Sequence, residues 1–346
     1  MLDYQVKAIN TVKERADRCK AENQKFMEQI CHPFNLDVAM LVNSILHKPI
    51  TINFHPDRIS NNMSTIMDNL IQQGLYQGQF HTGTTNGGKS AYIGGDRYNW
   101  EQRMFSSSYP PESIERPKYG ALNIFMYVDG ASARFGSSFF TLKNDVVKRC
   151  TFSYGDSSTN PDVLCTSDTF VNVLAEMFKD VRQNQKLLNQ VVSSEQESLA
   201  ILLDPCKQLK HIGRNLDYCV ETHIHGDISL ADDVECFYLD KSYQDTPFAE
   251  KAALLCQKYE IKLYWIPKRQ LLIEDIGELF RGVKIPVLAK EIDRKIGNNQ
   301  GIINASILGM ASCDSLLNPE DWYEIGNENE IFQYIKQLWH TIAYFG

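Results

Sequence analysis

Residues 218–225 carry three titratable side chains at two-residue spacing, in the order Tyr-Cys-Val-Glu-Thr-His-Ile-His. Such alternation is typical of a β-strand, whose successive side chains point to opposite faces. One face then presents Cys219, Glu221, His223 and His225, and the other face is mainly apolar. A carboxylate beside imidazoles suits acid–base chemistry, charge stabilisation or metal binding, and it is costly unless solvated, paired or used. The plainer interpretation is a half-exposed strand that is polar outside.

The composition of the chain is that of an ordinary globular protein, and it limits the possible functions. With 346 residues the chain can bury a full core, as one large domain with additions or as two domains. The net charge of −8 and the absence of a Lys/Arg block argue against a nucleic-acid binder. Nine scattered cysteines without a C-x-x-C pair favour free thiols in a reducing compartment. We find no apolar signal core and no apolar run of membrane-spanning length, so we expect neither a cleaved signal peptide nor a membrane span.

Hydrophobic periodicity predicts the elements that must position these residues. Apolar residues at three- and four-residue spacing predict helices, and strict alternation predicts strands. The predicted strands lie at about 50–54, 121–128, 134–142, 149–154, 217–225 and 261–266. The predicted helices lie at about 2–31, 36–47, 60–75, 168–203 and 246–259, and everything after Pro267 looks helical. Because strands occupy the middle and helices both ends, we expect an α+β fold rather than alternating βαβ units.

We expect three segments along the chain. Residues 1–48 form an N-terminal helical segment, residues 49–267 form the core with a helical insertion at 168–206, and residues 268–346 form a C-terminal helical segment. Within the core, residues 76–118 look irregular and are rich in Gly, Ser, Tyr and Pro. So long an irregular stretch in a compact domain is usually functional or disordered, and its many aromatic residues argue against disorder.

Residues 83–90, Gly-Thr-Thr-Asn-Gly-Gly-Lys-Ser, satisfy the P-loop pattern G-x-x-x-x-G-K-[ST] letter for letter. A working P-loop needs a buried hydrophobic strand before it and a helix after it, so that backbone amides and the helix N-terminus meet the phosphates. Neither the preceding residues 74–81 nor the following residues 91–95 meet these requirements. We therefore interpret this segment as a glycine-rich loop that lets the backbone approach a ligand closely.

Six short motifs, taken in chain order, carry a resemblance to a known family. They are His55-Pro-Asp-Arg58, Thr85-Asn-Gly-Gly88, Tyr119-Gly-Ala-Leu-Asn123, Arg134-Phe-Gly-Ser137, Gly155-Asp-Ser157 and Glu221-x-His223-x-His225-Gly226. In this order, over about residues 50–265, they resemble the CteC-type family of bacterial effectors. That family is similar to the Arg-Ser-Glu class of ADP-ribosyltransferases and acts on ubiquitin, with threonine as the acceptor.

The resemblance implies an α+β fold with an ADP-ribosyltransferase-like split mixed β-sheet core between helical N-terminal and C-terminal additions. It implies NAD as co-substrate, transfer of one ADP-ribose to a threonine hydroxyl of ubiquitin, and a block of host ubiquitination. It also implies a secreted bacterial effector that acts in the host cytosol. The implied catalytic residues are Glu221, His223 and Ser137. The implied cofactor-binding residues are His55, Arg58, Asn86, Gly87, Gly88, Arg134 and Ser138, and no metal ligand is expected.

The residue types fit these roles. Breaking the bond between nicotinamide and ribose develops positive charge on the ribose, as in glycoside hydrolysis, and Glu221 could stabilise that charge and hold a ribose hydroxyl. Arg58, at a strand tip after Pro56, could offer its fork of donors to the pyrophosphate, or could be a surface arginine paired with Asp57. Residues 86–88 could contact the nicotinamide carboxamide or the adjoining ribose, or could form only a tight turn.

The resemblance also places a serine beside Glu221, where it holds the carboxylate. Ser137 is the first choice and Ser138 the second, because strand facing cannot be assigned from sequence. Arginine-modifying relatives carry Glu or Gln two residues before the catalytic Glu, where this chain has Cys219. A neutral hydroxyl acceptor does not require that extra carboxylate, so the departure agrees with a Ser/Thr target. His223 could position Glu221 or accept the hydroxyl proton, or could be a solvated strand histidine.

Two other functions stay open at this point. His223 and His225 also resemble the H-x-H strand of metal-dependent hydrolases, and with His55 and Asp57 they could collect four ligands. Such folds, however, place this motif on the first strand of a barrel and need alternating βα units, which the sequence does not show. The third possibility is a non-catalytic binding module whose helical ends are protein-interaction surfaces.

Overall fold

The computed structural model describes residues 1–83, 90–205 and 216–346. Its strands are β1 Ile50–Phe54, β2 Lys118–Leu122, β3 Ser138–Leu142, β4 Cys150–Tyr154, β5 Leu164–Thr166, β6 Lys186–Leu187, β7 Gln190–Val191, β8 Val220–Ile224, β9 Val234–Asp240, β10 Lys262–Ile266, β11 Gln270–Leu272 and β12 Ile302–Asn304. Its α-helices are α1 Asp3–Cys31, α2 Val38–Leu46, α3 Ile66–Gln73, α4 Gln79–Thr82, α5 Asp96–Met104, α6 Val171–Asn184, α7 Glu195–Leu203, α8 Leu230–Asp233, α9 Pro247–Tyr259, α10 Glu278–Arg281, α11 Lys284–Lys295, α12 Ala305–Leu317 and α13 Glu328–Phe345.

Within the described residues, eight of these strands form one mixed sheet in the order β10-β9-β3-β1-β2-β8-β4-β5. Strands β9 and β10 pair in parallel, and the other neighbours pair antiparallel. Helices stand at both ends of the chain, so the predicted α+β fold is confirmed. No described helix combines the length and the apolar character that crossing a bilayer requires.

The sheet has one apolar face and one polar face, as the alternation in its strands requires. The apolar face includes Ile52, Phe140, Phe152, Val220 and Phe237, and these residues belong to one buried core. The polar face carries a row of directly opposed residues across four strands. That row consists of Thr51 in β1, Ala121 in β2, Glu221 in β8 and Ser153 in β4. Glu221 therefore stands near the middle of the sheet and not at its outer edge.

The sheet opens between β1 and β2. These two strands pair only through Ile50 with Leu122 and Thr51 with Ala121. Beyond that point, residues 52–54 of β1 pair only with β3, and residues 118–120 of β2 pair only with β8. The two strands must then diverge, and a cleft forms between them. Gly120 permits their close approach at the fork, because a Cβ there would lie 2.7 Å from the Thr51 carbonyl oxygen.

Several predicted elements differ from the observed ones; the predicted helix 60–75, for example, begins only at Ile66. The predicted strand 121–128 ends at Leu122, where the Asn123 side chain bonds the backbone of Tyr127 and closes a loop. The predicted strand 134–142 begins only at Ser138, after a short 3₁₀ turn at 133–135. The predicted helical stretch 168–203 is interrupted by the β6–β7 hairpin. The C-terminal segment is not wholly helical, because β11 pairs with β12.

Strand β9 was not predicted at all. Its sequence, Val-Glu-Cys-Phe-Tyr-Leu-Asp, lacks clean alternation, because residues on both of its faces are buried, among them Cys236 on one face and Phe237 on the other. Strands buried on both faces give continuous apolar runs that periodicity alone does not distinguish from helix.

The last helix, α13, reaches the cleft end of the sheet. The Trp339 indole donates a hydrogen bond to the Ala133 carbonyl at 2.8 Å, and its ring packs edge-on against His55 with centroids 4.8 Å apart. The C-terminal segment, which carries none of the quoted motifs, therefore touches the residues that follow β1.

A candidate active site in the cleft of the sheet

The cleft between β1 and β2 has a volume of about 340 Å³, within the range of pockets that hold small molecules. Four of the predicted catalytic and cofactor-binding residues line it together: His55, Arg58, Arg134 and Glu221. They come from the end of β1, from the turn before β3 and from β8, so folding gathers residues that are up to 166 positions apart, from 55 to 221. Aromatic residues also line the cleft; they are Phe54, Tyr76, Phe80, Trp100, Tyr119 and Phe135.

Glu221 is held rigidly in the wall of the cleft. Only 5% of its surface is exposed, and its Oε1 lies 2.9 Å from Nε2 of His223. The same oxygen accepts a hydrogen bond from the Ser157 backbone amide at 3.2 Å. That amide is turned toward the strand because Asp156 caps the short 3₁₀ turn at 157–159 through its carboxylate. Both contacts use Oε1, and Oε2 accepts no hydrogen bond from the residues that the structure describes.

A buried hydrogen-bond chain continues behind Glu221. Nδ1 of His223 and Nε2 of His225 each lie 3.0 Å from the Thr151 hydroxyl. Nδ1 of His225 in turn lies 2.6 Å from the Tyr109 hydroxyl. Burial, and then the neighbouring His223, lowers the pKa of His225 well below its usual value, so this imidazole stays neutral. These hydrogen bonds fix the ring of His223 and, through it, the Glu221 carboxylate.

This arrangement does not favour metal binding by the two imidazoles. All four ring nitrogens of His223 and His225 lie within hydrogen-bonding distance of protein atoms. In the part of the chain that the structure describes, no group of three or more His, Cys, Asp or Glu is placed to hold a metal ion. His55 and Asp57, the further ligands considered for a hydrolase, belong to a separate hydrogen-bond network.

Helix α5 forms one side of the cleft. Its Arg97 guanidinium lies 4.4 Å from the ring centre of Tyr119 and 5.3 Å from that of Trp100. The Tyr119 hydroxyl donates a hydrogen bond to Glu101 at 2.9 Å, and Arg116 lies 3.1 Å from the same carboxylate. A buried ion pair therefore ties α5 to the segment that enters β2. The prediction that residues 76–118 are irregular is thus wrong for this part, which is helical.

Arg58 stands on the opposite side, supported by a second buried network. Its Nη1 lies 3.8 Å from Oδ1 of Asp57, and neither atom has a hydrogen-bond partner in the described structure. The other oxygen, Oδ2 of Asp57, accepts a hydrogen bond from the Tyr243 hydroxyl at 2.8 Å. Tyr243 lies 3.3 Å from the Ser137 hydroxyl, which lies 3.2 Å from Nδ1 of His55. This network holds the tip of β1 in place.

Helix α12, in the C-terminal segment, packs directly on this tip of β1, and this contact leads to a prediction. A Cβ on Gly309 would lie 1.5 Å from Oδ2 of Asp57. Replacing Gly309 with Ala is therefore expected to lower the free energy of unfolding by about 1–3 kcal/mol, as overpacking does, despite the better helix propensity of Ala. Urea denaturation measures this change. Gly277→Ala is the matched control, because nothing lies within 4 Å of its Cβ, and an equal effect of both changes would contradict the prediction.

Most of the chain matches a protein family. Residues 49–345 match the family described as protein of unknown function (DUF3626). The chain belongs to this family. Among curated proteins, none matches the chain significantly. The matched segment contains every cleft residue named above, from His55 in the first motif to α13, whereas helix α1 lies outside it.

In this DUF3626 chain the predicted site residues fall into three groups. His55, Arg58, Arg134 and Glu221 line the cleft, and His223 supports Glu221 from behind. The two candidate serines do not line it: Ser137 bonds His55 and Tyr243, while the Ser138 hydroxyl lies on the other face of the sheet, 3.4 Å from the Asp240 amide. Asn86, Gly87 and Gly88 lie outside the described residues.

The expected contact between Ser137 and Glu221 is thus not found among the hydrogen bonds of the described residues. Beside His223, the carboxylate is held by the backbone amide of Ser157, which belongs to the quoted motif Gly155-Asp-Ser157. The reason is the 3₁₀ turn at 133–135. Because of this turn, the strand begins only at Ser138, and the Ser137 side chain lies next to His55.

Tyr119, Arg97 and Lys336 are among the cleft residues of this DUF3626 chain that the sequence reasoning did not assign to the site. Tyr119 begins a quoted motif but lies before the predicted strand 121–128, and its pairing with His223 is seen only in the folded sheet. Arg97 lies in α5 and Lys336 in α13, and neither belongs to a quoted motif. They reach the cleft only because α5 and α13 pack against it.

His340 on α13 gives a prediction about pH. Burial lowers the pKa of His340 to about 2, and Arg281 and Arg134 add to this effect. The unfolded chain binds a proton near pH 6.5 that the folded chain does not bind, so stability is complete above that pH and is lost as the pH falls below it. From pH 7 to pH 5 the wild type is expected to lose about 2 kcal/mol more unfolding free energy than His340→Phe. Urea denaturation at both pH values tests this, with exposed His32→Phe as the control; parallel curves for wild type and His340→Phe would contradict it.

Proposed function

We propose that this chain is an NAD-dependent mono-ADP-ribosyltransferase that transfers ADP-ribose to a threonine hydroxyl of ubiquitin. The observation that carries the proposal is the carboxylate of Glu221, fixed by His223 and the Ser157 amide in the wall of a cleft that Arg58 also lines. The threonine acceptor and ubiquitin come from the resemblance of the motif order to the CteC-type family. Action as a bacterial effector in the host cytosol, with a block of host ubiquitination, belongs to the same proposal.

The donors of the cleft suit a dinucleotide. In the described structure, several buried donor atoms of cleft residues have no hydrogen-bond partner; they are Nη1 of Arg58, Nε of Arg97, Nε1 of Trp100 and Nε of Arg134. These atoms are themselves covered by protein, but the side chains that carry them line the cleft, and guanidinium groups are well matched to phosphate oxygens. The aromatic walls can pack against the rings at the two ends of a dinucleotide.

The chemistry then follows from the position of Glu221. NAD supplies a ribose carbon that gains positive charge as neutral nicotinamide leaves with the bonding electron pair. Glu221 stabilises this charge, and the bond that forms joins the threonine oxygen to that carbon. The hydroxyl proton can pass to Oε2 of Glu221, which makes no hydrogen bond to the described residues. His223 is fully buried, so it acts by positioning Glu221 and not by contact with the acceptor.

The decisive experiment is incubation of the purified chain with NAD and ubiquitin, followed by mass spectrometry of ubiquitin. We expect ubiquitin to gain the mass of one ADP-ribose, on a threonine located by fragmentation. No gain would contradict the proposal. Release of nicotinamide without ubiquitin modification would support NAD cleavage but overturn the acceptor. If Glu221→Ala changed no activity or binding of the chain, a non-catalytic binding module would be the better description.

Arg58 yields a prediction about NAD affinity. Because its guanidinium lines the cleft and is only 7% exposed, Arg58→Ala removes a charged hydrogen-bond donor that is already desolvated. We expect the dissociation constant for NAD, measured by calorimetry, to rise about tenfold or more. Arg18→Ala, on the exposed side of α1, is the matched control. Unaltered affinity in Arg58→Ala would remove this residue from the site.

A further inference from the structure

Helix α13 adds basic side chains to the cleft that no sequence motif indicates. Lys336 lines the cleft together with Arg134. Four basic groups meet here, and we call them the basic corner: Arg134, Arg281, Lys336 and His340. They come from the turn before β3, from the end of α10 and from successive turns of α13.

The basic corner has more donors than the described protein satisfies. Nε of Arg134 and Nε of Arg281 are buried donors without a hydrogen-bond partner in the described residues, and the neutral ring of His340 adds one more donor and one acceptor. Lys336 forms no ion pair or hydrogen bond in the described residues. The two carboxylates in contact with the corner, Asp156 and Asp217, both pair with Arg134.

The positive charges of the corner also act on one another. Burial lowers the pKa of Lys336, and Arg134 and Arg281 lower it further. Asp156 and Asp217 already neutralise Arg134, but in the described residues Lys336 and Arg281 have no carboxylate partner. Two like charges in a partly desolvated place are unfavourable unless an anion neutralises them. A phosphate group fits this need, because it carries charge and several acceptor oxygens for ammonium and guanidinium donors.

We propose that the basic corner is a phosphate subsite of the cleft, in which Lys336 contacts an oxygen of the ligand's diphosphate group. The C-terminal segment then forms part of the nucleotide site and is not only a cover for the sheet. The identity of that ligand as a dinucleotide rests on the proposed function. The subsite itself rests on Lys336 and Arg134 in the cleft and on the unsatisfied donors behind them.

Calorimetry with ADP-ribose and with inorganic pyrophosphate tests this subsite. Lys336→Met is expected to weaken binding of both compounds about tenfold or more, the loss of a charged hydrogen bond. Lys336→Arg, which keeps a cation at this position, is expected to restore most of the affinity. Lys290→Met is the matched control, because it removes an exposed lysine from the neighbouring helix α11, and we expect it to bind both compounds like wild type.

Several outcomes would overturn the subsite. They are wild-type affinity in Lys336→Met, an equal loss in Lys290→Met, and no binding of either compound by the wild type. If Lys336→Met does not fold, as judged by circular dichroism, Lys336→Gln takes its place and must show the same loss.

The subsite and the proposed function can fail separately. If ADP-ribose binds in a Lys336-dependent way but ubiquitin gains no mass, the subsite stands and the transferase fails. If ubiquitin is modified and Lys336→Met binds ADP-ribose like wild type, the transferase stands and the subsite fails.

Discussion

Glu221→Gln is expected to reduce the rate at which ubiquitin gains ADP-ribose by about a hundredfold or more, the size of effect seen when one preorganised electrostatic contact is removed. The amide keeps the shape of the side chain, and its oxygen can still accept the hydrogen bond from the Ser157 backbone amide. What it loses is the negative charge that stabilises the ribose as nicotinamide departs. The measurement is the initial rate of ubiquitin modification by mass spectrometry at saturating NAD.

Two comparisons make this result specific. Glu112→Gln removes an exposed carboxylate outside the cleft, and we expect it to react at the wild-type rate. The affinity of Glu221→Gln for ADP-ribose is expected to stay near that of wild type, because in the proposed site other residues contact the diphosphate. A full rate of modification in Glu221→Gln would show that this carboxylate is not catalytic. An equal loss in both variants would point to net charge and not to the site.

The largest effect on stability is expected from Arg116→Met, which should lower the free energy of unfolding by about 3–5 kcal/mol. Arg116 and its partner Glu101 are 1% and 0% exposed. Arg116 also donates hydrogen bonds to the carbonyls of Ser113 and Pro110, at 3.1 and 3.2 Å. Removing it leaves a buried carboxylate without its cation, and burial already raises the pKa of Glu101. Urea denaturation at pH 7 measures the change.

A double-mutant cycle separates the ion pair from the rest of this effect. Glu101→Gln with Arg116→Met is expected to be less destabilised than the sum of the two single changes, because no charge is left unpaired. Lys13→Met is the surface control: it breaks the exposed ion pair with Asp168 and should leave stability nearly unchanged. If Arg116→Met were no more destabilising than Lys13→Met, the buried pair would not be what orders this side of the cleft.

Hydrophobic periodicity anticipated the fold class and several elements of the core. The alternation Ile-Thr-Ile-Asn-Phe gave β1 at its observed bounds, and the spacing of apolar residues gave α1 and α9 within one or two residues. The same alternation placed Glu221 and His223 on one face of β8, and in the structure they touch. These features depend on near neighbours in the chain, which is why a local pattern reports them.

Contacts between distant segments escaped this reasoning. The pairing of β1 with β2 at only two positions opens the cleft, and nothing in either strand records where its neighbour will diverge. The turn at 133–135 directs Ser137 toward His55, so the carboxylate of Glu221 is held by the Ser157 amide. A backbone donor has no side-chain signature in a sequence.

Lys336 is the clearest example of a contact that local patterns could not predict. It lies 115 residues beyond Glu221 in the chain and yet lines the same cleft. Its helix reaches that position through the packing of Trp339 against Ala133 and His55. Side-chain types and their spacing thus identified a strand able to do chemistry, since the period of a strand is a local property. Which groups surround that strand was established by packing between residues far apart in the chain, since packing depends on the shape of the whole core.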